Sequence, residues 1–184
     1  MMKIYLQRHT KPDVDPSICY GVSDVALSEE FEATHLPRVL ERLQGLSVGR
    51  IYTSPLQRAH ILAERIAQML DLCDLRVDER LKELNFGDWE LASWDDIYAS
   101  NEGKKWFDDY INVCTPNGES FAQMVERARS FLEDLSADPQ DIIVVTHSGF
   151  MRAAMVAAGA ISLQRAFDEK IEYGELRELQ IDTK

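Results

Sequence analysis

The chain has 184 residues, 45% hydrophobic and 28% charged, enough for one soluble domain with a real core, and no apolar run approaches the roughly 18–20 residues of a membrane helix. Its net charge of −12 repels nucleic acid and anionic membranes, so neither is expected as a partner. The same charge repels phosphate esters at long range, but screening over about 8–10 Å lets a local cationic pocket hold one. Lys3 precedes only a short apolar run before Arg8; that is not a secretory signal, and a cytoplasmic setting is expected. Cys19, Cys73 and Cys114 are too scattered for a disulfide framework or a metal pair and read as free thiols.

Lys3-Ile4-Tyr5-Leu6 has the β-branched and aromatic content of a buried strand. It gives way to loop around Arg8-His9, because Pro12 lacks an N–H and disfavours helix at Lys11. Residues 13–24, with Pro16, Gly21 and few periodic apolar positions, read as a loop. Ser28 is placed to cap a helix over 28–44, with Glu29 and Glu30 in its first turn. Its apolar positions are Phe31, Leu36, Val39, Leu40 and Leu43, and Pro37 should kink or break it. Arg50-Ile51-Tyr52-Thr53 is a second strand. Ser54-Pro55 then reads as N-cap and first helical residue of a helix reaching Leu70, with Arg58 one turn in. Leu75-Arg76-Val77 has the length of a short edge strand.

Residues 78–117 are irregular, with short helices over 94–100 and 104–112. Trp89, Trp94 and Trp106 fall there and read as the core of a small helical lid over about 89–112 rather than as a ligand platform. After the Pro116-Asn117-Gly118 turn a helix runs over 120–135, closed by Asp138-Pro139. Ile142-Ile143-Val144-Val145 is a continuous β-branched run that should be central and buried on both faces. Helices over 150–158 and 163–167 and a last strand over 174–181 complete a single domain spanning 1–184. The alternation predicts an α/β fold, a three-layer α/β/α sandwich with a mostly parallel central sheet. Ligands in such sheets bind beyond the carboxyl ends of the strands.

Four pieces of chemistry fall in that zone or near it. Arg8 offers a planar fork of donors for a phosphate, and His9 is a nucleophile when neutral. His147 follows the central strand at a helix amino terminus, where the N–H groups of Ser148 and Gly149 would face an anion. Arg58 lies beyond the second strand. Glu83 sits between Leu81 and Leu84, and a carboxyl beside a desolvated pocket can donate a proton near neutral pH. Each residue alone is better explained as packing or ordinary surface. Arg, His, Arg and His delivered by three strand ends to one sheet edge are not. No spacing suggests a metal, and no cofactor is expected.

Five runs carry a resemblance: Arg8-His9, Thr53-Ser54-Pro55-Leu56-Gln57-Arg58-Ala59, Leu81-Lys82-Glu83-Leu84-Asn85-Phe86-Gly87-Asp88-Trp89-Glu90, Pro116-Asn117-Gly118-Glu119-Ser120 and Val145-Thr146-His147-Ser148-Gly149. In this order, over nearly the whole chain, they resemble the histidine phosphatase superfamily, the phosphoglycerate-mutase-like proteins. The resemblance implies a phosphoric monoester hydrolase in which His9 takes the phosphoryl group, Arg8, Arg58 and His147 hold its oxygens, and Glu83 protonates the leaving alkoxide. Residue chemistry agrees: a histidine of pKa about 6.5 is largely neutral at pH 7, and two neighbouring arginines push it further that way. The same cations suit the charge of a transferring phosphoryl group.

Two departures stand out. Thr10 replaces the family's usual glycine, which a β-branched residue can do only where φ is negative. Lys11-Pro12-Asp13-Val14-Asp15 stands where the family's mutases carry a longer polar loop, which favours a phosphatase over a mutase. Glu83 argues against the phosphohistidine-phosphatase branch. Cys19-Tyr20-Gly21-Val22-Ser23-Asp24 and Phe86-Gly87-Asp88-Trp89-Glu90 look most like the α-ribazole phosphatase branch, which acts in cobalamin nucleotide-loop assembly. The expected ligand is a small-molecule phosphate ester, with α-ribazole 5′-phosphate as the implied candidate. A mutase, or a phospho-ligand binding module without turnover, remains the alternative. The sequence leaves the oligomeric state open.

Overall fold

The computed structural model describes residues 1–135 and 140–182; the expected stop at Asp138-Pro139 lies outside them. Strands β1 (Met2–Arg8), β2 (Arg50–Thr53), β3 (Leu75–Val77), β4 (Ile142–Thr146) and β5 (Leu176–Ile181) form one five-stranded sheet in the order β3-β2-β4-β1-β5. All neighbours are parallel except β5, which runs antiparallel beside β1 at the edge. The β-branched run of β4 lies in the middle with every residue buried.

Successive side chains on a strand point to opposite faces, and the core divides accordingly. Ile142 and Val144 join Ile4 and Leu6 in one cluster with α5 (Phe121–Leu135) and α6 (Ser148–Ala157). Ile143 and Val145 join Ile51 in a second cluster with α1 (Leu36–Leu43) and α2 (Gln57–Leu70). Each fully buried aliphatic side chain of this kind contributes about 1.5–3 kcal/mol. The result is the expected three-layer α/β/α sandwich.

Several boundaries differ from the local sequence rules. β1 runs through Arg8, which pairs in register with Thr146, and the His9 N–H still donates to the Thr146 carbonyl at 3.0 Å. The strand, not the loop, therefore aims Arg8. The helix expected over 28–44 opens with a wide π-type turn at Phe31–His35 before α1. Phe31 and Leu36 are five apart, and a wide turn puts both in the core, where a 3.6-residue turn would rotate one away. Pro37 accordingly causes no break; it sits in the first turn of α1, where its missing N–H costs nothing. The cap at Ser54-Pro55 is also displaced: α2 begins at Gln57, and Arg58 is its second residue. α3 (Trp94–Ala99) and α4 (Asn101–Asp108) begin at Ser93 and Ser100, whose hydroxyls accept from the N–H groups of Asp95 and Gly103. The second lid helix thus lies earlier than 104–112. α6 begins at Ser148, and Leu163–Asp168 is a 3₁₀ turn. Among the described residues no helix is long and apolar enough to cross a membrane.

Candidate active site

The carboxyl ends of β1, β2 and β4 deliver the predicted residues to one place. Parallel pairing of β1 with β4 sets His9 beside His147, with ring centroids 5.0 Å apart. Parallel pairing of β2 with β4 carries Ser54 to the same level, where its N–H donates to the Val145 carbonyl at 3.0 Å. The Ser54 side chain then lies 2.8 Å from His147 Nε2. The same hydroxyl also accepts the Leu56 N–H at 3.3 Å, so Ser54 serves both the histidine and the turn that leads into α2.

His9 is buried, and its Nδ1 lies 2.7 Å from the Thr10 carbonyl. A carbonyl only accepts, so the ring proton sits on Nδ1, and the neutral ring keeps a free lone pair on Nε2. Burial first, then the Arg58 and Arg8 charges, hold His9 well below the usual histidine pKa. His147 is lowered in the same way, by burial first and then by Arg58. Thr10 is not among the residues of positive φ, so the backbone accepts it where the family has glycine.

Arg58 is fully buried. Its Nη1 donates to the Ser23 carbonyl at 2.8 Å and its Nη2 to that of Gly21. The 21–23 loop is in turn held by Glu90, whose carboxylate accepts the N–H groups of Gly21, Val22, Ser23 and Phe86 at 3.0 Å each, together with the Ser23 hydroxyl. Burial would raise the Glu90 pKa, but these donors outweigh it and leave it lowered. Arg8 donates from Nη1 to the Ile171 carbonyl at 2.6 Å, and its guanidinium lies 3.9 Å from the Tyr173 ring centroid. Arg8 Nε, Arg58 Nε and His147 Nδ1 are buried without any hydrogen-bond partner.

Glu83 projects from the loop between β3 and α3. Its carboxylate accepts from the N–H of Leu84 at 3.0 Å and from the N–H of Gly149 at 3.1 Å. The amino terminus of α6, expected to face a ligand anion, thus gives its Gly149 donor to a protein carboxylate instead. Only glycine permits this: a Cβ on residue 149 would stand 2.2 Å from Glu83 Oε1. Arg127 steadies the loop from below. It donates to the carbonyls of Arg80, Lys82 and Glu83 and forms a two-point pair with Glu119, which also accepts the Asn85 N–H.

A cavity of about 310 Å³ opens onto Arg8, His9 and Glu83. Arg58 and His147 stand fully buried behind it. Its outer wall is aromatic, with Phe86, Trp94, Trp106, Tyr110 and Phe167. The tryptophans therefore divide: Trp89 is core, while Trp94 and Trp106 face the cavity and pack on one another at 6.5 Å. Sequence reasoning missed Arg152, a further cation on the wall, whose Nε and Nη2 donate to the Glu169 carbonyl. Its position four residues after Ser148, on the same helical face, was the available signal. Sequence reasoning also missed the supports Ser54, Glu90, Glu119 and Arg127, whose partners are distant in the chain. The three cysteines are free, as expected, and none lines the cavity: Cys73 and Cys114 are exposed, while burial pushes the Cys19 thiol up to about 12. Among the described residues no group of three or more His, Cys, Asp or Glu side chains is placed to hold a metal.

A mostly parallel sheet at whose strand ends two arginines and two neutral histidines gather, with a carboxylate across the cavity, defines an α/β enzyme that handles a phosphoryl group. The family model of the histidine phosphatase superfamily (branch 1) matches residues 4–184, and the chain belongs to that superfamily, in the class of phosphoric monoester hydrolases. It is 30% identical over 172 residues to phosphoserine phosphatase 1 of Hydrogenobacter thermophilus, covering 90% of this chain and 80% of that protein. It is 32% identical over 152 residues to a probable phosphoglycerate mutase, GpmB, of Erwinia tasmaniensis, covering 80% of this chain and 70% of the other. The fold matches that of the α-ribazole phosphatase from Shigella flexneri with a TM-score of 0.88, at 21% identity over 98% of this chain and 91% of the other.

Proposed function

We propose that the protein hydrolyses a small phosphate ester through a phosphoenzyme on His9, without need of a metal. The observation that carries this reading is the set of buried nitrogens without partners around His9: the donors Arg8 Nε and Arg58 Nε, and His147 Nδ1, which donates when the Ser54 hydroxyl donates to Nε2. A buried donor left unpaired costs about 1–3 kcal/mol, and a phosphoryl group brought to His9 would supply the missing acceptors. His9 Nε2 attacks phosphorus while the ester P–O bond breaks, and Glu83 gives its proton to the departing alkoxide. Water then attacks the phosphohistidine, Glu83 takes a proton from it, and phosphate leaves with His9 restored. Arg8, Arg58 and His147 bear the charge of the equatorial oxygens in both steps.

The aromatic outer wall favours an ester whose alcohol presents a flat, largely apolar ring, which suits α-ribazole 5′-phosphate better than phosphoserine or 3-phosphoglycerate. Trp94, Trp106 and Tyr110 would act as the lid over that group. Quenching into alkaline detergent during turnover of labelled substrate should trap an acid-labile, alkali-stable phosphohistidine in the wild type and none in His9→Ala, with phosphate release unchanged by EDTA. Turnover without such an intermediate, or with it undiminished in His9→Ala, would overturn the mechanism. Preference for phosphoserine over α-ribazole 5′-phosphate in the same assay would overturn the substrate class alone.

A further inference from the structure

We propose that the protein carries a second anion site beside the active site, built for a free oxyanion of two or more negative charges, of the diphosphate class. A separate cavity of about 280 Å³ is lined by Thr10, Lys11, His35, Arg38, Arg42 and Tyr173, with Val39, Glu172 and Gly174 completing its wall. Three formal cations around one small cavity are unexpected in a chain of net charge −12. Among the described residues Lys11, Arg38 and Arg42 form no ion pair, although acidic residues outnumber basic ones 32 to 20. The one carboxylate on the wall, Glu172, is paired with Lys170. Glu30 stands 3.6 Å from His35 Nε2.

Two buried polar atoms of residues on the same wall also lack a hydrogen-bond partner. Thr10 is 2% exposed, and its hydroxyl makes no hydrogen bond; His35 Nε2 makes none either. Thr10 is the residue that departs from the family's glycine, and it lines this cavity. A multivalent oxyanion would meet the Thr10 hydroxyl, the imidazole and the three cations together. Glu172 is paired with Lys170 and Glu30 lies against His35, which leaves the charges of Lys11, Arg38 and Arg42 to a ligand of more than one negative charge.

The site is distinct from the phosphoryl cradle but shares backbone with it. Arg42 Nη1 donates to the Gly174 carbonyl at 3.0 Å, the Gly174 N–H donates to the His9 carbonyl at 3.0 Å, and the Thr10 carbonyl holds His9 Nδ1. Tyr173 belongs to the walls of both cavities. The inference does not depend on the reaction proposed for His9.

Inorganic pyrophosphate is the probe. Calorimetric titration should resolve a site that remains available after orthovanadate has saturated the catalytic cavity, and whose affinity falls with added salt. In Lys11→Gln/Arg38→Gln that site should weaken roughly tenfold or more, since each lost contact is charge-assisted, while turnover of p-nitrophenyl phosphate stays unchanged. Both residues are exposed, so the fold should survive, and Arg38→Glu alone provides a second variant of the same sign. Thr10→Val, which keeps the branched shape and removes the hydroxyl, should weaken the site as well. No binding to the vanadate-saturated protein, or equal affinity in the variants, would overturn the proposal.

Discussion

The phosphoryl cradle and the aromatic wall face one cavity but are built in opposite ways. The cradle residues His9, Arg58 and His147 are at most 2% exposed, stand on strand ends or the first turn of α2, and have their orientation fixed by backbone carbonyls or a buried hydroxyl. The aromatic wall is assembled from separate short pieces: Trp94 and Trp106 stand on α3 and α4, of six and eight residues, Phe86 and Tyr110 on loops, and Phe167 on a 3₁₀ turn. A phosphoryl group is the same in every ester and rewards rigid, preorganised charge. The alcohol differs between esters, and contact by ring faces tolerates change. On the proposed reaction, chemistry and selectivity are carried by separate parts of the molecule.

Substitutions on the two sides should therefore give different kinetic signatures. The largest effect in this set is expected of Glu83→Gln: turnover of alkyl phosphates should fall about 100-fold or more, and that of p-nitrophenyl phosphate far less, because a phenolate leaves without a proton. Equal losses on both substrates would remove Glu83 from the acid role. Gly149→Ala drives a Cβ against the same carboxylate and should repeat this pattern at roughly tenfold, as expected for a misplaced catalytic group. A loss confined to KM would show that the Gly149–Glu83 contact does not serve catalysis.

A third measurement reads the cradle through stability. Burial holds His9 and His147 neutral in the fold, while in the unfolded chain each takes up a proton below about pH 6.5. The unfolded state then binds more protons, so stability is full above that pH and lost as pH falls through it toward the lowered folded values. At pH 5.5 the loss from both should approach about 2–3 kcal/mol relative to pH 7.5, read from urea midpoints. In His147→Gln the drop should be about half as large; an undiminished drop would assign it to other groups. The smallest effect belongs to the wall. Trp94→Ala should raise KM for ring-bearing esters several-fold, about 1 kcal/mol of lost ring contact, and leave kcat for a small alkyl phosphate unchanged. A fall in kcat on every substrate would break the division of labour.

The sheet was legible because its signal is local. The β-branched run at Ile142–Thr146 can bury both faces only in a central parallel strand, and the alternation around it sets the layers. Arg8, His9, Arg58 and His147 were legible because strand ends in such a sheet converge. Local rules failed where a distant partner took or shared the group they relied on. Ser54 reads as a helix cap alone, and nothing local shows that its hydroxyl also meets His147, 93 residues away. The donors of α6 look free until Glu83, 66 residues away, takes the one on Gly149. Glu90 and Arg127 act on backbone atoms of other loops, and backbone acceptors leave no mark in a side-chain pattern.

The loops beneath Glu83 meet backbone to backbone. A Cβ on Gly21 would stand 1.8 Å from the Leu84 carbonyl oxygen, one on Gly87 2.0 Å from that of Pro116, and one on Gly118 2.3 Å from that of Asn85. Carbonyls cannot step aside as side chains do, so none of these loops can change alone. Mutational walks that pass through one substitution at a time are closed there, while Trp94, Trp106, Tyr110 and Phe167 lie open to them. Any library built to redirect this enzyme to new esters should randomise those four wall positions and leave the glycines untouched; in descent as in the laboratory, new substrates would be acquired by changing the wall around an unchanged reaction centre.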